Sequence, residues 1–217
     1  DRPIPSGRVP GKTAFWFAVV WTAIAQTWAI LIGPWVAAAT GLGLALAWAY
    51  SAPPLRLKMN GWWGNSAVAI SYEGLAWITG AAIVIGGDLP AEPILLIALL
   101  YSIGAHGIMT LNDFKSVEGD LTMGIRSLPA QLGPTRAARV ACLFMLLPQL
   151  IVILLLVRWG LMPFALAVSL MVVAQLLAMR KLLRDPKQFA PWYNATGVSL
   201  YVLGMMAVAI GLGGWLM

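Results

Sequence analysis

Seven stretches of apolar residues, near 13–32, 34–49, 66–86, 94–111, 137–157, 161–180 and 196–216, constrain what this chain can become. Most match the roughly 20 residues a helix needs to cross a bilayer. In hydrocarbon, backbone N–H and C=O groups must be paired within the segment, so such stretches fold as helices. Apolar residues make up 60% of the chain and charged residues 10%, against about 25% charged in a soluble domain. The expected fold class is an all-α multi-pass membrane protein, a single membrane-embedded domain over 1–217 with seven transmembrane helices. The one cysteine, Cys142, lies inside an apolar run and excludes a disulfide framework.

Charge sets the orientation. Segments 1–12, 50–65, 112–136 and 180–195 are long and basic, whereas the turns near 33, 87–93 and 158–160 are short. Of the 14 Lys and Arg, only Arg158 falls on the short-turn side. Basic residues stay cytoplasmic, so the N-terminus and the four long segments are expected there. Topology and anionic lipid account for the net charge of +6 without nucleic acid as a partner.

The cytoplasmic segments carry patterned residues. Arg2-Pro-Ile-Pro-Ser-Gly-Arg8 reads as a turn, and its Arg2 and Arg8 are planar forks suited to phosphate. It is echoed by Arg126-Ser-Leu-Pro129, a weak internal repeat of the kind duplicated membrane folds leave. If the copies match, an acidic motif is expected before Asp1. In Tyr50-Ser-Ala-Pro-Pro-Leu-Arg-Leu-Lys58, Arg56 and Lys58 share a face in extended chain, where a diphosphate could lie across them. Glu73 is the only carboxylate well inside a span; such a residue is functional, paired or snorkelling. His106, the only histidine, is either a packing residue or a ligand.

Three of the eight carboxylates fall within Asp113–Asp120, in Asn112-Asp-Phe-Lys-Ser-Val-Glu-Gly-Asp120. If the preceding helix continues, Asp113 and Asp120 return to one face after two turns, about 10 Å along the axis. Lys115 and Glu118 can then pair with each other. Two carboxylates on one face suit Mg²⁺ that keeps several waters and bridges to substrate phosphates. Arg126, with Arg2 and Arg8 if the loops meet, would cover remaining phosphate charge. The alternatives are a solvated cytoplasmic loop or the cation site of a transporter. Charge at the mouth of the bundle, not at the midplane, disfavours a transporter.

Together the Arg2–Arg8, Tyr50–Lys58 and Asn112–Asp120 motifs resemble the UbiA-type membrane prenyltransferases, in their chlorophyll and bacteriochlorophyll synthase branch. Gly61-Trp-Trp-Gly64, Tyr72-Glu-Gly-Leu-Ala-Trp77, Gly104-Ala-His-Gly-Ile-Met-Thr-Leu111, Gly124-Ile-Arg-Ser-Leu-Pro129 and Pro191-Trp-Tyr-Asn-Ala-Thr-Gly197 extend the resemblance over the whole chain. It implies a UbiA-like bundle around a central cavity. It implies esterification of a bacteriochlorophyllide propionate with geranylgeranyl or phytyl diphosphate, with Mg²⁺ as cofactor. Asp113 and Asp120 match the second acidic motif, as metal ligands and catalytic residues. Ser116 stands where the wider family often has Asp. Tyr50 and Lys58 match a Tyr-and-basic region at the diphosphate end. Arg2, Arg8, Arg56, Lys58 and Arg126 are the expected diphosphate contacts, and Asn112, Glu73 and His106 the candidates for lining the substrate cavity. The family's first acidic motif and two further spans are expected before Asp1, which makes nine spans in a duplicated scaffold. A chain lacking them is expected to be inactive alone. The implied location is a bacterial photosynthetic inner membrane, with the site on the cytoplasmic side and other pigment-synthesis proteins as neighbours.

The chemistry agrees with the residues. Loss of diphosphate from an allylic carbon separates charge, which Mg²⁺ and basic side chains stabilise. The acceptor carboxylate is already ionised at neutral pH, so no strong general base is required. Other acceptors for the same transfer are chlorophyllide, a quinone precursor or haem. A non-catalytic assembly subunit is the reading from another class.

Overall fold

The computed structural model describes residues 3, 4 and 6–215; Arg2 lies outside them. Helices α1 (Gly11–Ile32) and α2 (Pro34–Ser51) form a hairpin. Helices α3 (Gly61–Ala69) and α4 (Leu75–Val84) are joined by a π turn, Ile70–Gly74, into one span. Helix α5 (Glu92–Asn112) ends in a 3-10 turn, Asp113–Lys115. Two short helices follow, α6 (Val117–Thr122) and α7 (Leu128–Leu132). Then come α8 (Pro134–Arg158), α9 (Met162–Arg184) and α10 (Pro186–Leu212). Several of these start with Pro in the first turn, where its missing N–H has no helical partner to lose.

Among the described residues, six helices are long and apolar enough to cross a membrane: Gly11–Ile32, Gly61–Val84, Glu92–Lys115, Pro134–Arg158, Met162–Arg184 and Pro186–Leu212. Helix α2 is not among them, although a span is expected at 34–49. It has 18 residues, and Ala, Gly and Trp occupy much of it in place of Leu or Ile. It nonetheless runs antiparallel to α1. Trp48 Nε1 donates to Thr22 Oγ1 (3.1 Å), Gln26 Nε2 donates to the Ala37 carbonyl (3.1 Å), and Phe15 packs edge-on to Trp48. At the far end, Trp35 N donates to Gly87 O, joining the two short turns.

Helix α5 is the centre of the bundle. Of its most apolar window 67% is buried, against 6% for α1. It packs on α3, α4, α8 and α10. Its contact with α8 is close because Gly107 carries no side chain; a Cβ there would meet the Ala141 carbonyl and Met145 Cγ. Small residues at such crossings let backbones approach in place of the hydrophobic drive that lipid removes. Two lateral hollows lie between helices, one against α1, α2 and α4 and one between α8 and α9. Neither is the central cavity that the resemblance implies.

Several helices begin earlier or end later than their apolar runs. The expected 180–195 loop shrinks to Asp185, because α9 continues through Arg180, Lys181 and Arg184 and α10 starts at Pro186. Hydropathy marks the membrane boundary, but these basic residues are good helix formers and carry the helix past it. The Asp185 side chain caps the next helix, accepting from Gln188 N at 3.1 Å.

Candidate active site

The acidic segment is a short loop closed at both ends on the first two turns of α3. It leaves α5 at Asp113, whose Oδ2 accepts from Asn65 Nδ2 at 3.1 Å. It returns at Arg126, whose carbonyl accepts from Gly61 N (2.7 Å) while Arg126 N donates to the Met59 carbonyl (3.0 Å). Asn60 and Arg126 thus form a parallel β-bridge. Gly61 and Asn65 stand about 6 Å apart along the helix. Gly61 is required at this junction, since a Cβ would lie 2.5 Å from Leu128 N.

Within the loop the helix does not continue. Asp113–Lys115 is a 3-10 turn, and Ser116 (φ −117, ψ 4) breaks it before α6. The expectation of one helix carrying Asp113 and Asp120 two turns apart is therefore corrected. Ser116 connects them instead, with its hydroxyl near both the Asp113 carbonyl (3.2 Å) and Asp120 Oδ2 (3.1 Å). The two carboxylates are near enough for the Asp120 charge to act on Asp113. The Lys115–Glu118 pair is also replaced: Lys115 Nζ donates to Asn112 Oδ1 at 3.3 Å. The same oxygen accepts from Asn194 Nδ2 at 3.2 Å, tying α10 to the site.

The basic platform comes from the joined loops. Arg56 is exposed and left-handed (φ 40, ψ 53), a conformation costly for a residue with a side chain. Lys58 sits half-buried in the 3-10 turn Leu57–Met59. Arg126 is exposed, and Gln131 Nε2 also donates to its carbonyl. Tyr50 lies half-buried in the last turn of α2. Arg8 belongs to the expected turn, where Gly7 N donates to Ile4 O and Arg8 Nε donates to Ser6 Oγ (3.1 Å).

The other candidates sit deeper. His106 is 4% exposed and forms a three-ring cluster with Phe144 (4.5 Å between ring centres) and Trp62 (5.8 Å), and its buried Nδ1 has no hydrogen-bond partner among the described residues. Glu73 occupies the π turn, half-buried. The Tyr101 hydroxyl is buried without a hydrogen-bond partner among the described residues. Sequence reasoning missed Asn65 and Asn194 as individual residues. A carboxamide inside an apolar span is itself a signal, because lipid offers it no partner.

Among the described residues no three His, Cys, Asp or Glu gather as a metal site. Asp113 and Asp120 nevertheless supply hard oxygen donors of the type Mg²⁺ takes. Their Oδ2 atoms are engaged by Asn65 and Ser116, and neither Oδ1 has a hydrogen bond among the described residues.

Fold and site together define a polytopic membrane protein with a carboxylate pair and a basic platform at one end of its bundle. The chain belongs to the UbiA prenyltransferase family, which it matches over residues 1–201. It is 53% identical over 214 residues to the bacteriochlorophyll synthase 33 kDa chain of Cereibacter sphaeroides, covering 99% of this chain and 70% of that one. It is 48% identical to the 34 kDa chain of Chloroflexus aurantiacus, over 97% of this chain and 67% of the relative. The chloroplastic chlorophyll synthase of Avena sativa is 36% identical, over 96% of this chain and 57% of the relative. A solved structure from work on digeranylgeranylglyceryl phosphate synthase in membranes shares the fold, with a TM-score of 0.73 at 19% identity. That match covers 97% of this chain and 73% of the other.

Proposed function

We propose that this prenyltransferase esterifies the propionate of bacteriochlorophyllide with a geranylgeranyl or phytyl group taken from its diphosphate. The observation that carries the reading is 53% identity to a bacteriochlorophyll synthase chain across 99% of this one. Chlorophyllide is the second acceptor to consider, and the lower identity to the chlorophyll synthase, 36%, ranks it below. The bond between the allylic carbon and the diphosphate oxygen breaks, and a propionate oxygen forms the new ester bond. Diphosphate departs with the electron pair.

The residues divide the work. Asp113 and Asp120 would hold Mg²⁺, with water and diphosphate oxygens completing its shell. When bound, that ion offsets the charge of the leaving diphosphate. Asn65 and Ser116 orient the two carboxylates, Arg56, Lys58 and Arg126 meet the diphosphate from the joined loops, and Tyr50 at the end of α2 is assigned to the same end of the substrate. Arg8 would add to these contacts from the N-terminal turn, and the same role is proposed for Arg2. The acceptor arrives ionised, so its own oxygen is the nucleophile. In this reading the site faces the cytoplasm of a photosynthetic bacterium, supported by the basic residues gathered on that side.

Membranes of cells producing the full-length protein, supplied with Mg²⁺ and geranylgeranyl diphosphate, are expected to esterify bacteriochlorophyllide faster than chlorophyllide. No ester with either pigment overturns the proposal. Asp113→Ala is expected to abolish turnover and leave the protein folded in the membrane. Activity that survives this change removes Asp113 from the metal site.

A further inference from the structure

The outer faces of α8 and α9 leave a groove of about 480 Å³ between them. Its walls include Leu143 and Leu146 from α8 and Leu176 and Leu183 from α9. Arg139 and Arg180 stand at its mouth, both exposed, and no carboxylate lines it. Beyond the inner end, α8 and α9 are locked by a reciprocal amide pair. Gln149 Nε2 donates to Gln175 Oε1 (3.1 Å) and Gln175 Nε2 donates to Gln149 Oε1 (3.0 Å), with both side chains fully buried. Neither glutamine belongs to the acidic site.

The dimensions and charge select an occupant. From Arg139 to Leu146, which bound the groove on α8, the helix rises about 10 Å, within the half of a hydrocarbon core of roughly 30 Å that one leaflet fills. The groove is apolar along that depth and cationic only at the interface. Lys181, next in sequence to Arg180, is engaged elsewhere, with its ammonium over the Trp192 ring (4.1 Å) and the Phe189 ring (4.9 Å). The mouth is therefore a pair of guanidinium forks, the geometry that suits phosphate oxygens. Basic pockets between transmembrane helices hold acidic lipid headgroups in this way.

We propose that the α8–α9 groove is a binding site for one anionic phospholipid of the leaflet that adjoins the Asp113 loop. The phosphate sits between Arg139 and Arg180, and part of one acyl chain follows the leucines toward the bilayer centre. Basic residues that served topology alone would need no apolar hollow between them.

The test is photolabelling of the whole protein in phosphatidylcholine vesicles that carry a minority of photoactivatable phosphatidylglycerol. Label is expected on peptides containing 139–146 and 176–183, and excess unlabelled phosphatidylglycerol, but not phosphatidylcholine, should remove it. Arg139→Gln/Arg180→Gln is expected to cut the preference for the anionic probe roughly twenty-five-fold, at about fivefold for each basic residue. Arg136→Gln/Arg184→Gln removes equal charge outside the groove and should leave labelling unchanged. Equal loss in both double variants would mean a general surface attraction and overturn the site. So would equal labelling by a phosphatidylcholine probe, or displacement of the label by geranylgeranyl diphosphate. Should the groove variant fail to fold, the competition between unlabelled lipids on the unaltered protein decides.

Discussion

Asn65 donates from α3 to Asp113 at the end of α5, 3.1 Å from Nδ2 to Oδ2. The same amide nitrogen lies 3.3 Å from Thr110 Oγ1, whose hydroxyl is bonded to the His106 carbonyl at 2.9 Å. The carboxylate is thus set in place by a residue on another helix, itself held by a buried chain of hydrogen bonds. Outer groups that orient a metal-binding carboxylate are typically worth about 10–100-fold in affinity or activity. Asn65→Ala is expected to cost esterification that much and to raise the Mg²⁺ concentration for half-maximal rate. Rates measured across a Mg²⁺ series test this; an unchanged series would detach Asn65 from the metal.

The loop's second anchor predicts a different failure. Gly61→Ala places a Cβ against Leu128 N at 2.5 Å and Ser127 C at 2.9 Å. The Arg126 bridge must then open, which separates the basic platform from the carboxylates. The expected result is loss of turnover with most of the bundle intact, together with faster protease cutting within 113–127. Gly119→Ala in α6 is the control. Nothing lies within 4 Å of its added Cβ, so it should leave both readouts near their starting values. Protease resistance equal in the two variants would refute the anchor.

The glutamine pair between α8 and α9 predicts non-additive stability. Gln149→Leu alone strands the Gln175 amide, and removing one buried partner costs about 1–3 kcal/mol in soluble proteins. In membranes such pairs average nearer 0.6 kcal/mol, since the separated helices find other partners. The smaller figure applies here. Gln149→Leu is expected to lower the thermal midpoint by a little, and Gln149→Leu/Gln175→Leu to recover most of it. A double-mutant cycle on the purified protein measures this, and strictly additive losses would argue against the pair.

Much of the fold was legible because bilayer crossing demands long apolar runs, and few other structures tolerate them. The helix ends were less so. Arg180, Lys181 and Arg184 look like loop in a hydropathy plot and like helix in propensity, and propensity prevailed at the interface. In the site, the residue types were visible and their arrangement was not. Asp113 and Asp120 stood out by charge, yet Ser116 interrupts the helix that would have aligned them. Asn65 and Asn194 carried no charge to mark them. Their partners, Asp113 and Asn112, lie far away in sequence, and only packing brings them together.

The π turn at Ile70–Gly74 has a consequence for phase. Asn65 before it reaches Asp113, and Trp77 after it stacks on Tyr101 (5.9 Å, 9° between planes), so both halves of the span address α5. In an unbroken α-helix these two positions would point about 120° apart. A π turn takes up one extra residue without the corresponding rotation, which leaves them only about 20° apart. The widened turn therefore absorbs one residue while both halves keep facing α5: closing it to α-helical geometry at the same length would swing either Asn65 or Trp77 away, whereas deleting one residue from it would leave the two in phase.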